Sequence, residues 1–195
     1  MSLKLNSVGG GSVTLQEPST ASNFTLDLPA ASGTLLVPGQ ASAIVSGTAV
    51  ASTSGTSIDF TGIPSWAKRI TVMLSGVSTT AATTALVLVQ IGDSGGIENT
   101  GYVSSTSEGG STASSTIGFP LATTLQTIDV FSGQAILSLF NGNTWISGSL
   151  VNGVSYGLAP GAGVKTLSAT LDRVRITTST GTPTFDAGSI NILYE

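Results

Sequence analysis

Residues 135–153 read AILSLFNGNTWISGSLVNG, an apolar run followed by a segment framed by two Asn-Gly dipeptides. Asn-Gly between strand-like segments is a strong short-range signal for a β-hairpin, because both residues adopt a positive φ at low cost. The run at 135–140 is almost entirely apolar, as in a strand covered on both faces or a strand whose outer face meets another subunit. The stretch therefore predicts paired β-strands, and it leaves both explanations of the apolar run open.

Alternation of apolar and polar residues recurs along the rest of the chain. Residues 68–75 and 173–177 alternate with a period of two, which is typical of strands with one buried face. Residues 85–91 are apolar almost without interruption and predict a further covered strand. Side chains expected to face inward are Ile70, Val72, Leu74, Leu167, Ala169, Leu171, Val174, Ile176, Ile190 and Ile192, whereas Arg173 and Arg175 are expected to face solvent.

Clusters of Gly, Ser, Thr, Asn and Pro separate these segments, for example at 104–115 and 160–163, and they predict turns. No convincing amphipathic helix appears, because Gly, Pro or β-branched residues interrupt each candidate. Many short strands at near-regular spacing are typical of a sandwich or a jelly roll. We therefore predict an all-β chain in which residues 56–195 form a jelly-roll-like β-sandwich.

The first 40 residues contain short β-strand patterns but too few apolar side chains for a core of their own. Such a segment must pack against a partner or against other copies of the chain. We predict that residues 1–40 attach and trimerise the protein, and that residues 41–55, rich in Ala, Ser, Thr and Gly, form a connector. The apolar residues expected to meet around a shared axis are Val13, Leu15, Phe24, Leu26, Leu28, Leu35 and Val37.

Composition limits the function. Of 195 residues, 40% are hydrophobic and 8% charged, with six basic residues and a net charge of −4. Because a usual charged share is about 25%, we expect a surface of Ser, Thr, Asn and Gly that associates with its neighbours. So few Lys and Arg residues argue against nucleic acid as a partner, since phosphate binding needs them in clusters. No stretch approaches the ~20 continuous apolar residues of a membrane helix, so we expect no membrane insertion.

The string Gly92-Asp93-Ser94-Gly95-Gly96 matches the surroundings of the nucleophile in chymotrypsin-like serine proteases. That chemistry requires a histidine base, and the chain contains neither histidine nor cysteine. We therefore interpret the string as a Gly-rich turn and predict no enzymatic activity and no cofactor. Scattered carboxylates would bind Ca²⁺ if the fold brought them together, but no spacing resembles a calcium loop, and we predict no metal site. The carboxylates concerned are Asp93, Glu98, Asp129 and Asp186.

Aromatic side chains offer a second hypothesis, a glycan-binding module. Trp66, Trp145, Tyr102 and Tyr156 would form a platform for sugar rings if they were exposed together. The competing interpretation places each of them in the core or in a subunit interface. Tyr102 and Trp145 are the two residues that we predict as glycan contacts.

Residues 10–36, GGSVTLQEPSTASNFTLDLPAASGTLL, resemble a segment that recurs in fibre, neck-appendage and tail proteins of tailed bacteriophages. Three further stretches are similar to the C-terminal region of phage fibre-like proteins. They are 55–73 (GTSIDFTGIPSWAKRITVM), 90–102 (QIGDSGGIENTGY) and 167–195, which contains LDRVRITTSTGTPTFDAGSINILYE. Together these stretches cover a little less than half of the chain.

The resemblance implies a structural protein of the virion, assembled in the cytoplasm of a host bacterium. It implies a homotrimer whose N-terminal segment attaches to other virion proteins and whose C-terminal sandwich is displayed outward. On this basis we predict a short fibre or appendage that contributes to host-surface attachment, with a cell-surface glycan as the candidate receptor. A capsid decoration protein or head fibre is the alternative.

Overall fold

The computed structural model of the chain describes residues 2–6, 8–16, 44–80, 85–123, 129–153 and 157–195. The chain divides into two compact units, Met1–Gln40 and Ala41–Glu195. No helix within the described ranges is long and apolar enough to cross a membrane. The described residues form sixteen strands: β1 (Ser2–Asn6), β2 (Ser12–Gln16), β3 (Val45–Ser46), β4 (Val50–Ala51), β5 (Ser57–Thr61), β6 (Arg69–Thr79), β7 (Val87–Asp93), β8 (Gly96–Ile97), β9 (Val103–Glu108), β10 (Ser111–Ser115), β11 (Phe119–Pro120), β12 (Phe131–Asn141), β13 (Thr144–Gly153), β14 (Gly157–Thr166), β15 (Leu171–Thr178) and β16 (Phe185–Tyr194).

The first unit contains an antiparallel hairpin of β1 and β2. Val13 lies opposite Leu5 and Leu15 lies opposite Leu3, so two residues of the predicted assembly set occupy one strand of this hairpin. The other members of the set lie outside the described residues: Phe24, Leu26, Leu28, Leu35 and Val37. The proposed role of all seven in trimerisation stays a prediction.

The second unit is built from two antiparallel sheets. The large sheet has nine strands in the order β10-β9-β14-β13-β12-β6-β16-β3, with β4 also pairing with β16. The small sheet has five strands in the order β11-β7-β15-β5, with β8 pairing with β7. The short strands β3 and β4 fall in the stretch that was predicted to be a connector, and they extend one edge of the large sheet.

One hydrophobic core lies between the inner faces of the two sheets. The large sheet contributes Ile70, Val72 and Leu137, and the small sheet contributes Val89 and Ile176, each with no solvent exposure. Fully burying one such side chain contributes about 1.5–3 kcal/mol to the free energy of folding. The core confirms the predicted all-β sandwich, while the jelly-roll description of its connections stays a prediction.

Most of the side chains that were expected to face inward are buried, because the strands follow the predicted period of two. Ala169 is exposed instead, since residues 167–170 form a loop between β14 and β15. Asn141-Gly142 closes the hairpin between β12 and β13 as predicted, with Gly142 at a φ of +55°. The run at 85–91 contributes most of the fully buried strand β7, as predicted.

Two of the predicted turn clusters are strands. Residues 104–115 form most of the hairpin of β9 and β10, and residues 160–163 lie inside β14. Pro160 occupies the position at which pairing between β14 and β9 ends, so its missing N–H breaks no ladder between these two strands. Gly163 is needed in β14 because a Cβ there would lie 2.4 Å from the Cβ of Ser104 and 2.9 Å from Cδ1 of Phe119.

Candidate assembly surface

Four neighbouring strands of the large sheet, β9, β14, β13 and β12, turn one set of side chains away from the core. We name this surface the outer face. The strands alternate between buried and exposed positions, and every residue on the outward side is uncharged. The outer face comprises Val103, Ser105, Gln134, Ile136, Ser138, Phe140, Thr144, Ile146, Gly148, Leu150, Asn152, Leu158, Pro160, Ala162, Val164 and Thr166.

Several large apolar side chains on the outer face are open to solvent. Val103 and Phe140 are each 72% exposed, Leu158 is 61% exposed and Leu150 is 49% exposed. Single exposed apolar residues are normal on a protein surface, but a contiguous group of them marks a site of contact with something else. The apolar run at 135–140, for which the sequence left two explanations open, contributes Ile136 and Phe140 to this group.

The pairing of the strands places these apolar residues in rows. Ile146 lies opposite Val164, and Val164 lies opposite Val103, which gives one row of β-branched side chains across three strands. A neighbouring row contains Gly148 and Ala162, which are small. The surface is consequently hollowed into a groove of about 430 Å³ whose lining includes Ile136, Ile146, Gly148 and Leu150. An added Cβ on Gly148 would meet no atom within 4 Å, so the space above this residue is open.

Charged side chains lie on the outward side of the small sheet, which we name the charged face. One further exposed pair, Arg69 with Glu195, lies at the end of β6 and borders the outer face beside Ser138. Arg175 donates to Asp59 through Nε and Nη2, at 2.7 Å each, and Arg173 donates to the adjacent Asp172 through the same two kinds of nitrogen at 2.6 and 3.1 Å. The bond to Asp59 raises the pKa of Arg175, and the bond to Asp172 raises that of Arg173. Both arginines face outward as predicted, and each has an acidic partner.

Tyr102 and Trp145, the predicted glycan contacts, are both in the core, with 1% and 3% of their surface exposed. The ring of Tyr102 packs edge-on against Phe119 at 4.9 Å between centroids. Its hydroxyl accepts a hydrogen bond from the backbone N–H of Ile91 at 2.8 Å and donates to the carbonyl of Glu98 at 2.9 Å. Burial raises the pKa of Tyr102 well above its usual range. Neither ring offers a face to a sugar, so this prediction was wrong.

Trp66 differs from these two rings because half of its surface is exposed. It packs against Tyr194 with 5.6 Å between ring centroids and an angle of 49° between the planes. The loop that carries it is anchored on both sides by buried residues, Ile63 and Ala67. Tyr156, the fourth aromatic of the predicted platform, lies outside the described residues. Sequence alone identified Trp66 as a candidate without showing that it would differ in exposure from Trp145.

The protease-like string forms the tight turn between β7 and β8, in which Asp93 lies opposite Gly96 and Ser94 is exposed at the tip. Asp93 accepts hydrogen bonds from the Ser168 hydroxyl at 2.6 Å and from the Gly95 N–H at 2.8 Å. The bond from Ser168, followed by that from Gly95, lowers the pKa of Asp93. Its carboxylate therefore fastens a turn to the loop before β15.

Glu98 and Lys165 form an ion pair that joins the segment after β8 to strand β14. The Lys165 side chain is 6% exposed, and its Nζ lies 5.4 Å from the centroid of the Tyr102 ring. Glu98 also accepts a hydrogen bond from the backbone N–H of Ser168 at 2.7 Å. Burial by itself would raise the pKa of Glu98, but the hydrogen bonds from Lys165 and Ser168 outweigh it and lower the pKa. Sequence gave no sign of this pair, because 67 residues separate its members.

The four carboxylates that were considered for calcium do not converge. Asp93 and Glu98 share contacts with Ser168, whereas Asp186 accepts a hydrogen bond from Ser78. Among the residues that the structure describes, no group of three acidic side chains could hold a metal ion. The outer face, which offers no acid, base or metal ligand, is suited to contact rather than to chemistry.

No protein-family model, no curated protein and no solved structure matches the chain.

Proposed function

We propose that this protein is a structural component of a tailed-phage virion, a homotrimeric short fibre or appendage. In this proposal residues 1–40 attach to other virion proteins and contribute to the trimer, and the sandwich is displayed outward, where it contributes to attachment to the host surface. The observation that supports it most strongly is the outer face, which is uncharged and exposes several large apolar side chains in the single chain.

The chemistry of the outer face favours assembly. A face with exposed Val103, Leu150 and Leu158 leaves apolar area in water, and each side chain of this size gains about 1.5–3 kcal/mol when it is fully covered. Interface cores are depleted of charge, as this surface is. Ser, Asn and Gln side chains at its margins supply the neutral hydrogen-bonding groups of an interface rim. A component that is built into a symmetric particle gains from these properties, whereas a free monomer would tend to aggregate.

The phage assignment rests on the resemblance of residues 10–36 and of the three C-terminal stretches to recurring phage segments. The sandwich supports a display role, because its rigid core makes it a scaffold. Residues Val13 to Val37 of the N-terminal segment supply further apolar side chains for a shared axis. The proposed location is the virion.

The first test is the mass of the full chain in native buffer, measured by sedimentation or native mass spectrometry. We expect three copies per particle. Leu150→Glu places a charge on the outer face and should shift the population toward smaller species by at least about tenfold, because an unpaired charge is costly in an interface. Thr61→Glu is the matched control, since Thr61 is exposed in β5 beside Arg173 on the charged face.

A stable, folded monomer over the whole concentration range would contradict the proposed assembly. If Leu150→Glu and the control Thr61→Glu were both folded monomers, that result would contradict the proposed assembly as well. A fluorescent antibody against the chain should label intact phage particles, and the absence of the chain from purified particles would contradict the proposed virion role.

A further inference from the structure

The outer face combines ridges and a hollow on one surface. Ile146, Val164 and Val103 form one ridge, and Leu150 stands beside Pro160 to form another. Between them lies the row of Gly148 and Ala162, where the backbone is accessible. Large side chains that alternate with small ones allow two such surfaces to interdigitate, as side chains do in a packed core.

The absence of charge restricts what can cover this face. A partner with charged groups at the contact would lose their hydration without gaining an opposite charge in return. The outer face of a second copy of this chain meets that condition, because every outward residue of its four strands is uncharged. The charged face is a poor match, because covering it would bury the ion pairs of Arg173 and Arg175.

We infer that the outer face is covered by the outer faces of the neighbouring copies of this chain. Resting on the proposed homotrimer, this inference identifies both the partner and the contact surface. Three outer faces turned toward a common axis would form a second apolar core between the sandwiches, with Leu150 or Ile146 of one copy filling the groove above Gly148 of the next. The charged faces would then point away from the axis into solvent.

The absence of cysteine from the chain makes a direct test possible. Single variants Ile146→Cys and Leu150→Cys place a thiol on the outer face, and Thr61→Cys places one on the charged face. Each variant of the full chain is treated with a short thiol-reactive crosslinker at low protein concentration. We expect covalently linked copies at Ile146 or Leu150 to form at least about tenfold faster than at Thr61, because contact within a particle raises the effective concentration.

A second variant fills the groove without adding charge or disturbing the single chain. Gly148→Gln should leave the folded sandwich intact, because its new side chain meets open space. The same side chain should block the neighbouring copy and weaken association by at least about tenfold, as measured by sedimentation at decreasing concentration. Thr61→Gln is the control, with unchanged association expected. Thermal unfolding followed by circular dichroism shows whether each variant is folded.

Two outcomes separate this inference from the proposed function. If the chain is a trimer but Ile146→Cys, Leu150→Cys and Thr61→Cys crosslink equally slowly and Gly148→Gln assembles normally, the outer face is not a contact between copies. Residues 1–40 would then hold the trimer, and the proposed function would stand. If the chain is a folded monomer and no variant crosslinks, both the inference and the proposed assembly are overturned.

Discussion

The outer face and the charged face belong to the same sandwich and lie over the same core, yet their chemistry is opposite. The charged face carries Arg173 and Arg175, paired with Asp172 and Asp59, as is usual for a solvent-exposed surface. The outer face carries no charge and exposes Val103, Leu150 and Leu158. With only 8% of residues charged, the placement of those few charges is informative. This difference is the basis on which we propose the outer face, and not the charged face, as the contact surface.

The few charged residues in the strands of the outer face are buried. Lys165 is one of two charged residues in the four strands of the outer face, and both it and Glu108 point inward. Glu98 neutralises Lys165, and Glu108 accepts hydrogen bonds from the N–H and the hydroxyl of Thr123 at 3.1 Å each. The charges of these strands are thus turned away from the surface that we propose as an interface.

The largest effect on the fold is expected at the Glu98–Lys165 pair, which connects elements of the two sheets. Glu98→Gln leaves the Lys165 ammonium buried with a weaker partner, and we expect a loss of about 1–3 kcal/mol in the free energy of unfolding. Chemical denaturation of a sample at constant assembly state measures it. Thr61→Gln is the control for a neutral change at an exposed site, and an unchanged midpoint for Glu98→Gln would show that the pair does not hold the sheets together.

Acid should weaken the same region. The pKa of Asp93 and that of Glu98 are lowered from their ordinary values of 3.8 and 4.5. At pH values between the lowered and the ordinary pKa, the unfolded state therefore binds more protons than the folded state. Their contribution to stability is therefore fully present at neutral pH and is lost as the pH falls below about those ordinary values toward the lowered ones. Thermal unfolding between pH 7 and about pH 3 should show the loss, and the Asp93→Asn, Glu98→Gln double variant should show a flatter profile. An equally steep profile in the double variant would assign the acid sensitivity to other carboxylates.

The smallest effect is expected on the charged face. Arg175→Met removes a two-pronged pair with Asp59 that is about one-third exposed, so the free energy of unfolding should change by about 0.2–1 kcal/mol. Assembly should not change, because this face is not expected to contact another copy. Sedimentation of Arg175→Met beside Leu150→Glu measures the contrast between the two faces directly. A variant of the charged face that dissociates the particle as strongly as Leu150→Glu would invalidate the distinction.

The sequence predicted the strands in which the inward side chains are apolar, such as β6 with Ile70, Val72 and Leu74. It failed for β9, whose inward residues Ser104 and Thr106 are polar and are satisfied by hydrogen bonds to backbone carbonyls. Because both sides of β9 are rich in Ser, no hydrophobic period distinguishes this strand from a loop. The prediction failed because the inward side chains of β9 are polar and find hydrogen-bond partners, not because the segment has a low β-strand propensity.

The candidate surface was predicted in part. The apolar run at 135–140 suggested a strand whose outer face meets another subunit, and its outward residues do lie on the outer face. Val103, Leu158 and Val164 could not be assigned to that face, because the neighbouring residues 104–115 and 160–163 were interpreted as turns and the strand register was unknown. Tyr102 and Trp145, in contrast, were wrongly assigned to a surface. Sequence does not reveal that an aromatic ring among Ser and Gly residues faces a core.

The position of β6 affects the order in which the sandwich can form. This strand, at 69–79, is paired on one side with β12 and on the other with β16, at 185–194. One edge of β6 therefore stays unpaired until β16, which lies more than one hundred residues further along the chain, pairs with it. Pairings over such separations form slowly, because loop closure is needed before the contacts are gained. Until then this edge of β6 is unpaired, and unpaired strand edges make folding intermediates prone to association.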